Sequence, residues 1–495
     1  MSNPTTLRGE LLLAAFISLA AASFASTPST PEEWQMAAAQ DLKAAHNLLR
    51  DNSPAMIVNK DSARFRSWLE QGYTIAQKRI RKVHDGRGYA FLLKGYAGGF
   101  RDSHVQIILD KDSGIDIRTP VAWPGFVLGW RRGRYCVVWH SSGAVHVPPL
   151  GARLEECDGK TVAELVRERD RFDGNVELES GRFFAAPYLL ADRGNPYVPR
   201  PERCRFLIGN KSIVYNLSWR SVAKPDFQRA LAVSIAKINR KLDVFQYGKG
   251  IWWLAIPSMD HQQDWGMFFG AVEKNLAAIR KAPLVVIDLR GNDGGDSAFG
   301  EKLENILWGK PFADSRRSVS SPELWVASKV NRDHWRKTLK NFSADPNTTT
   351  AEKAYIQQTL KELDVALATG RRSFIYRDVP PGRASVGAPN PIRGRVVLLA
   401  DHYCISACLD LMDDFLAMPR VIQAGTITAA DTIFMDMTLV SLPSGLSQLG
   451  FGHSALFERR RPSNQPYEPT PSLQWRGSPD DDAGERRWLQ ATLRE

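Results

Sequence analysis

Hydrophobic spacing changes character several times along this chain. Between Thr30 and about Val83, the residues Trp34, Leu42 and Leu48, then Phe65, Trp68, Leu69 and Ile75, recur at helical intervals around a break at Asn52-Ser53-Pro54. That spacing predicts an N-terminal helical region over residues 30–85. Two apolar runs, Gly88 to Lys94 and Val105 to Leu109, read as strands flanking a glycine-bearing loop, Gly95 to Asp102, and the loop leads into Ser103-His104. Short β-type runs then predict a β-rich module over 115–187, in which a Cys157-Asp158-Gly159-Lys160 turn precedes a short helix. Beyond the prolines of 196–201, strands at Gly250–Pro257, Pro283–Arg290 and Gly394–Asp401 alternate with helices at Asp264–Lys281, Ala298–Leu307 and Ala407–Leu416. Such alternation is β/α architecture. The core would draw on residues 86–114, 202–310 and 390–470, interrupted by a polar helical insertion within 320–380 and followed by a C-terminal tail, 471–495.

At 495 residues and 43% hydrophobic, the chain has apolar material for two or three domains. Its formal charge of +11 suggests anionic surroundings, but Lys and Arg are spread along the chain. No basic stripe with interleaved aromatics forms, which argues against nucleic acid as a partner. Arg8, an apolar run from Leu11 to about Phe24, and small residues at Ser23 to Ser26 follow the order of a secretory signal peptide over 1–26. The expectation is an exported protein, periplasmic or secreted, cleaved near Ser26. No stretch of the mature chain is apolar enough to span a bilayer. The five cysteines, Cys136, Cys157, Cys204, Cys404 and Cys408, show no CxxC spacing for zinc, and no metal or cofactor is called for. Cys136 and Cys157 could bridge in an oxidising compartment, though an odd count leaves connectivity open.

Two segments carry candidate chemistry. The strand Leu284–Leu289 runs into Arg290-Gly-Asn-Asp-Gly-Gly295, whose adjacent glycines let backbone approach a ligand. The strand Val396–Ala400 leads through Asp401-His-Tyr-Cys-Ile405 to Ser406-Ala407-Cys408 and an amphipathic helix. A serine there sits at the positive end of the helix, where the following amide can stabilise an oxyanion. The plainer readings are a tight turn for the glycines and an N-cap for Ser406.

Asp288-Leu-Arg-Gly-Asn-Asp-Gly-Gly resembles the glycine-rich motif of tail-specific (C-terminal processing) proteases, and Ile405-Ser-Ala-Cys resembles their nucleophile segment. Phe100-Arg-Asp-Ser-His-Val and Gly425-Thr426 extend the resemblance, which covers roughly 86–310 and 394–470. It implies an α/β fold with a crotonase-like (ClpP-like) catalytic core, a PDZ-like module and an N-terminal helical cap. The lysine that the bacterial enzymes place about 25 positions after the serine is replaced by Asp431. Ser103-His104 instead resembles the Ser-His pair of the tricorn branch. By that resemblance Ser406 is the nucleophile of a peptidase acting on peptide or protein, His104 is the general base, and Ser103 orients the imidazole.

The oxyanion hole would be the amides of Gly294 and Ala407, and Glu468 is the candidate orienting acid, with Glu458 and Asp431 as competitors. His402 and His453 are rival bases. Arg459-Arg-Arg461 and Asp480-Asp-Asp482 read as solvated charge, and Trp252-Trp253 as core. A catalytically inactive binding or scaffold protein is the alternative, motivated by the missing lysine; an esterase would share Ser406. The sequence leaves oligomeric state and substrate open.

Overall fold

The computed structural model describes residues 27–238, 240–316, 322–344, 348, 350–376, 389–457 and 459–493. The signal segment and Glu458 lie outside the described residues. Thr30 and Glu33 form a reciprocal capping pair that starts α1 (Pro31–Asn52), and α2 (Ala63–Arg79) follows the predicted break. The next element corrects an expectation: Gly88 to Lys94 is not a strand but lies in α3 (Gly86–Gly98), started by Asp85 accepting the Gly88 amide at 2.7 Å. Tyr89, Phe91, Leu92, Leu93 and Tyr96 are all buried. A helix apolar on every side lacks the 3.6-residue contrast and imitates a buried strand in sequence. The predicted strand after it is β1 (Gln106–Leu109).

The β-rich module contains β2 (Phe126–Arg131), β3 (Arg134–His140), β4 (Arg153–Cys157) and β5 (Lys160–Thr161), then α4 (Val162–Arg169) and α5 (Glu179–Ala185). Its sheet runs on past residue 187. The hairpin β6 (Arg203–Ile208) and β7 (Lys211–Asn216) completes the order β2-β3-β4-β6-β7, and α6 (Lys224–Ser234) packs on it. Cys157 is paired opposite Cys204 in the β4–β6 ladder and bonded to it, so the expected Cys136–Cys157 bridge does not form and Cys136 is free. Closing a 47-residue separation removes about 4 kcal/mol of unfolded-chain entropy, which ties the hairpin to the module. A second disulfide joins Cys404 to Cys408.

The remaining chain gives β8 (Asp243–Gln246), β9 (Ile251–Ala255), α7 (Trp265–Lys281), β10 (Leu284–Asp288), α8 (Ala298–Trp308) and α9 (Lys310–Arg316). The insertion is helical in α10 (Lys329–Ala344) and α11 (Thr350–Ala368), framed by β11 (Glu323–Val326) and β12 (Ser373–Tyr376). After it come β13 (Arg395–Ala400), α12 (Ala407–Phe415), β14 (Val421–Gly425), β15 (Phe434–Ser441), β16 (Ser447–Leu456) and α13 (Asp482–Thr492). One sheet, β14-β13-β10-β9-β8, is parallel except for β8. Its inner strands β9, β10 and β13 are buried nearly throughout, as strands covered on both faces are, and Trp252 and Trp253 are core as expected. The other, β1-β16-β11-β12 with β15 on β16, is antiparallel and joins residues 106–109 to residues 447–450. Among the described residues, no helix is long and apolar enough to cross a membrane.

Candidate active site

Parallel pairing sets Asp288 opposite Leu399, so the glycine motif and the Ser406 segment leave the sheet side by side. Asn292 shapes the glycine loop from within: its amide donates to the Ile256 carbonyl, and its Oδ1 accepts the Gly294 amide, both at 2.9 Å. Gly294, at φ +95°, lies directly under the serine. A Cβ there would sit 2.9 Å from both the Ile405 carbonyl oxygen and Ser406 Cβ. Only glycine admits that approach and that backbone conformation.

Ser406 itself has φ +57° and ψ −129°, a conformation an L-residue enters at a cost of about 1–3 kcal/mol. Its side chain makes no capping bond to α12, although its carbonyl accepts the Leu409 and Asp410 amides. The plain N-cap reading therefore fails. The hydroxyl is half-buried on a strained strand-to-helix turn, at the positive end of a nine-residue helix.

Ser103 and His104 lead into β1, which the β1–β16 ladder fixes against residues 447–450. A cavity of about 340 Å³ has Asp102, Ser103, Ile405, Ala429, Ala430 and Asn464 in its wall, and the Ser103 hydroxyl has no hydrogen-bond partner among the described residues. His104 is buried. Asp102 accepts the His104 amide at 2.9 Å and sets its Oδ1 3.5 Å from the imidazole Nδ1. Burial pushes the imidazole pKa down, but Asp102, Asp431 and Asp436 outweigh it and raise the value above 6.5.

Asp431 is fully buried between Arg459 and Arg461, at 2.7 and 2.5 Å, and its Oδ2 has no hydrogen-bond partner among the described residues. The expected solvated basic run is thus corrected: both of these arginines hold buried carboxylates, and Arg461 also reaches Asp413. Asp410, one turn into α12, is raised to about 7, first by burial and then by repulsion from Asp431. These charges link the serine helix to the loop beside His104.

Other expectations shift. The Gly294 amide expected in the oxyanion hole is engaged by Asn292, which leaves Gly294 as the surface on which the serine rests. Glu468 is exposed and forms no hydrogen bond or ion pair with His104 among the described residues. Asp102 is the carboxylate nearest the imidazole, and the sequence offered a signal for it: an Asp two residues before an amide commonly folds back onto that amide. His453 accepts from Trp335 Nε1 at 2.8 Å and bonds Thr438 at 2.7 Å, a satisfied core histidine whose pKa burial lowers to about 3. His402 is likewise buried and lowered to about 4. Asp480 and Asp481 are exposed beside a turn, as expected, and Asp481 caps α13, whereas Asp482 departs from the solvated reading by binding Arg240 and Arg290 of the glycine motif. No three His, Cys, Asp or Glu side chains among the described residues are gathered to hold a metal ion.

No protein-family model and no curated protein matches the chain. Among solved structures, mature CPAF superposes with a TM-score of 0.57 at 14% identity, over 93% of this chain and 96% of that one. Mature CPAF complexed with lactacystin gives the same TM-score and identity over 93% and 98%. The chain thus shares its overall fold with CPAF. The photosystem II D1 C-terminal processing protease superposes more loosely, with a TM-score of 0.34 at 10% identity over 92% and 96%.

The position of Asp102 generates a test. Asp102→Asn removes the nearest negative charge, so the His104 imidazole should titrate at a lower pH than in the wild-type protein, read by NMR of its ring protons. An unchanged titration would assign the raised pKa to Asp431 and Asp436 instead.

Proposed function

We propose that the chain is a serine peptidase that hydrolyses peptide bonds through an acyl-enzyme on Ser406, with His104 as general base. The observation that carries this reading is the serine turn: a strained, uncapped hydroxyl on a helix N-terminus, backed by a glycine that nothing larger could replace. His104 would take the Ser406 proton during attack on the carbonyl carbon and return it to the departing amine. Water would then release the acyl group by the same route reversed. The Ala407 amide would hold the oxyanion, a contribution of about 3–4 kcal/mol for one such donor. Gly294 would join it only by releasing Asn292. Ser103 would bond the imidazole, and Asp102 rather than Glu468 would orient it.

Within this reading the parallel-sheet layer is a crotonase-like core and residues 115–216 a PDZ-like module, whose Asp158-Gly159 turn leads into α4. We also propose export, with cleavage near Ser26. Two disulfides suit an oxidising compartment. Intact-mass measurement of exported protein should show a chain lacking about 25 residues; a full-length mass on the cytoplasmic side would contradict it.

Peptide hydrolysis should fall by about 10⁴-fold or more in Ser406→Ala and in His104→Ala, and the double variant should be little worse than either, because a proton-transfer unit fails when one member goes. Activity requires neutral His104, whose pKa is raised. The rate should therefore rise with pH through an ionisation above 6.5 and be lost as pH falls through it. Near-normal hydrolysis by His104→Ala would end the assignment of the base.

A further inference from the structure

A second cavity, of about 330 Å³, lies on the other side of the segment that leads to Ser406. It opens at the carboxyl ends of the parallel strands, where Arg290 follows β10, His402 and Tyr403 follow β13, and Thr426 follows β14. Ligands of open α/β sheets bind in that position. The β2–β3 turn of the module and residues 474–479 close it from outside. Phe183 against His402, at 4.6 Å, and Phe184 against Tyr403, at 4.9 Å, form the partition from the first cavity: Phe183 lines this one and Phe184 the other.

Its chemistry is selective. Trp130, Phe183, Tyr403 and Trp475 supply aromatic walls. Every acid in the wall is already engaged: Glu179 by Trp130 Nε1, Asp401 by the Gly291 and Tyr403 amides, Glu485 by Arg290. Of the cations, Arg290 is paired with Asp288, Asp482 and Glu485, but three others are not matched in this way. Arg131 donates to three carbonyls, of Trp130, Val233 and Ser234. Neither it nor Arg132 nor Arg476 has a carboxylate within 4 Å among the described residues.

Two polar atoms of the wall residues, His402 Nδ1 and Thr426 Oγ1, are buried without a hydrogen-bond partner among the described residues. Leaving such atoms unpaired costs about 1–3 kcal/mol each. Thr426 Oγ1 can donate or accept, and His402 Nδ1 accepts when the neutral ring carries its proton on Nε2, so the pair is met by a ligand N–H.

We infer that this cavity binds a small aromatic carboxylate carrying an N–H donor. The acid would face the arginine side, the ring would lie among the aromatic walls, and the N–H would meet His402 or Thr426. The size suits one such molecule, since small-ligand sites span about 300–1,000 Å³. The inference is independent of hydrolysis and is tested by binding alone.

Calorimetric titration of the full chain with N-acetyl-L-phenylalanine should give saturable single-site binding, also in Ser406→Ala. N-acetyl-L-phenylalaninamide, which lacks the charge, should bind at least about tenfold more weakly. Arg132→Glu, a reversal on an exposed turn, should weaken the acid by a similar factor and leave the amide unaffected. Ala236→Trp, which fills the cavity, should abolish binding of both; circular dichroism confirms that each variant is folded. Absence of saturable binding at millimolar acid would overturn the inference, as would binding indifferent to both Arg132→Glu and Ala236→Trp.

Discussion

Strands β10 and β13 pair in parallel without offset, Leu284 opposite Arg395 and Asp288 opposite Leu399, so both chains leave the sheet at one edge and at one level. The glycine loop and the serine turn, more than 100 residues apart in sequence, thereby become neighbours before any side chain acts. Asn292 then fixes the loop, and Gly294 admits the Ser406 turn at a distance that no Cβ could tolerate. A slip of one residue in that ladder would turn every side chain of the strand to the opposite face and move the serine off its glycine.

Buried ion pairs hold the pieces that the sheet alone cannot. Arg290 binds Asp288 beside it and Asp482 and Glu485 of α13, which fastens the end of the chain to the glycine motif. Arg459 and Arg461 converge on Asp431 and hold the loop between β14 and β15 against the serine helix. Removing one partner of such a pair costs about 3–5 kcal/mol, because the other charge stays buried and uncompensated. The negative charge collected there also reaches His104, so the network that shapes the region raises the imidazole pKa as well.

The alternation of strands and helices in the parallel layer was legible because β9, β10 and β13 are continuous apolar runs and the helices between them carry clear stripes. The α1–α2 region was legible from its spacing and from the Asn52-Ser53-Pro54 break. α3 was not, since a helix buried on all faces shows no period. The joining of 203–216 to the module was hidden because a strand carries no mark of its partner, and the Cys157–Cys204 bond could not be chosen among five cysteines. Charge deceived in both directions: Arg459-Arg-Arg461 and Asp480-Asp-Asp482 read as solvated, yet members of each run pair with partners that the fold brings from 28 to 242 residues away. Near the serine, sequence order pointed to Ser406, Ser103 and His104, and the Asp two residues before His104 was a legible signal as well, whereas the engagement of the Gly294 amide by Asn292 is a matter of local geometry that motif spacing does not encode.

The central claim is that Ser406 is a nucleophile activated by His104. Incubating the folded protein with a fluorophosphonate probe at neutral to mildly alkaline pH and locating the adduct by peptide mass spectrometry tests it most directly. The account predicts one adduct, on Ser406, which forms far more slowly in His104→Ala. A folded protein that stays unlabelled, or carries the adduct on another residue, would contradict it.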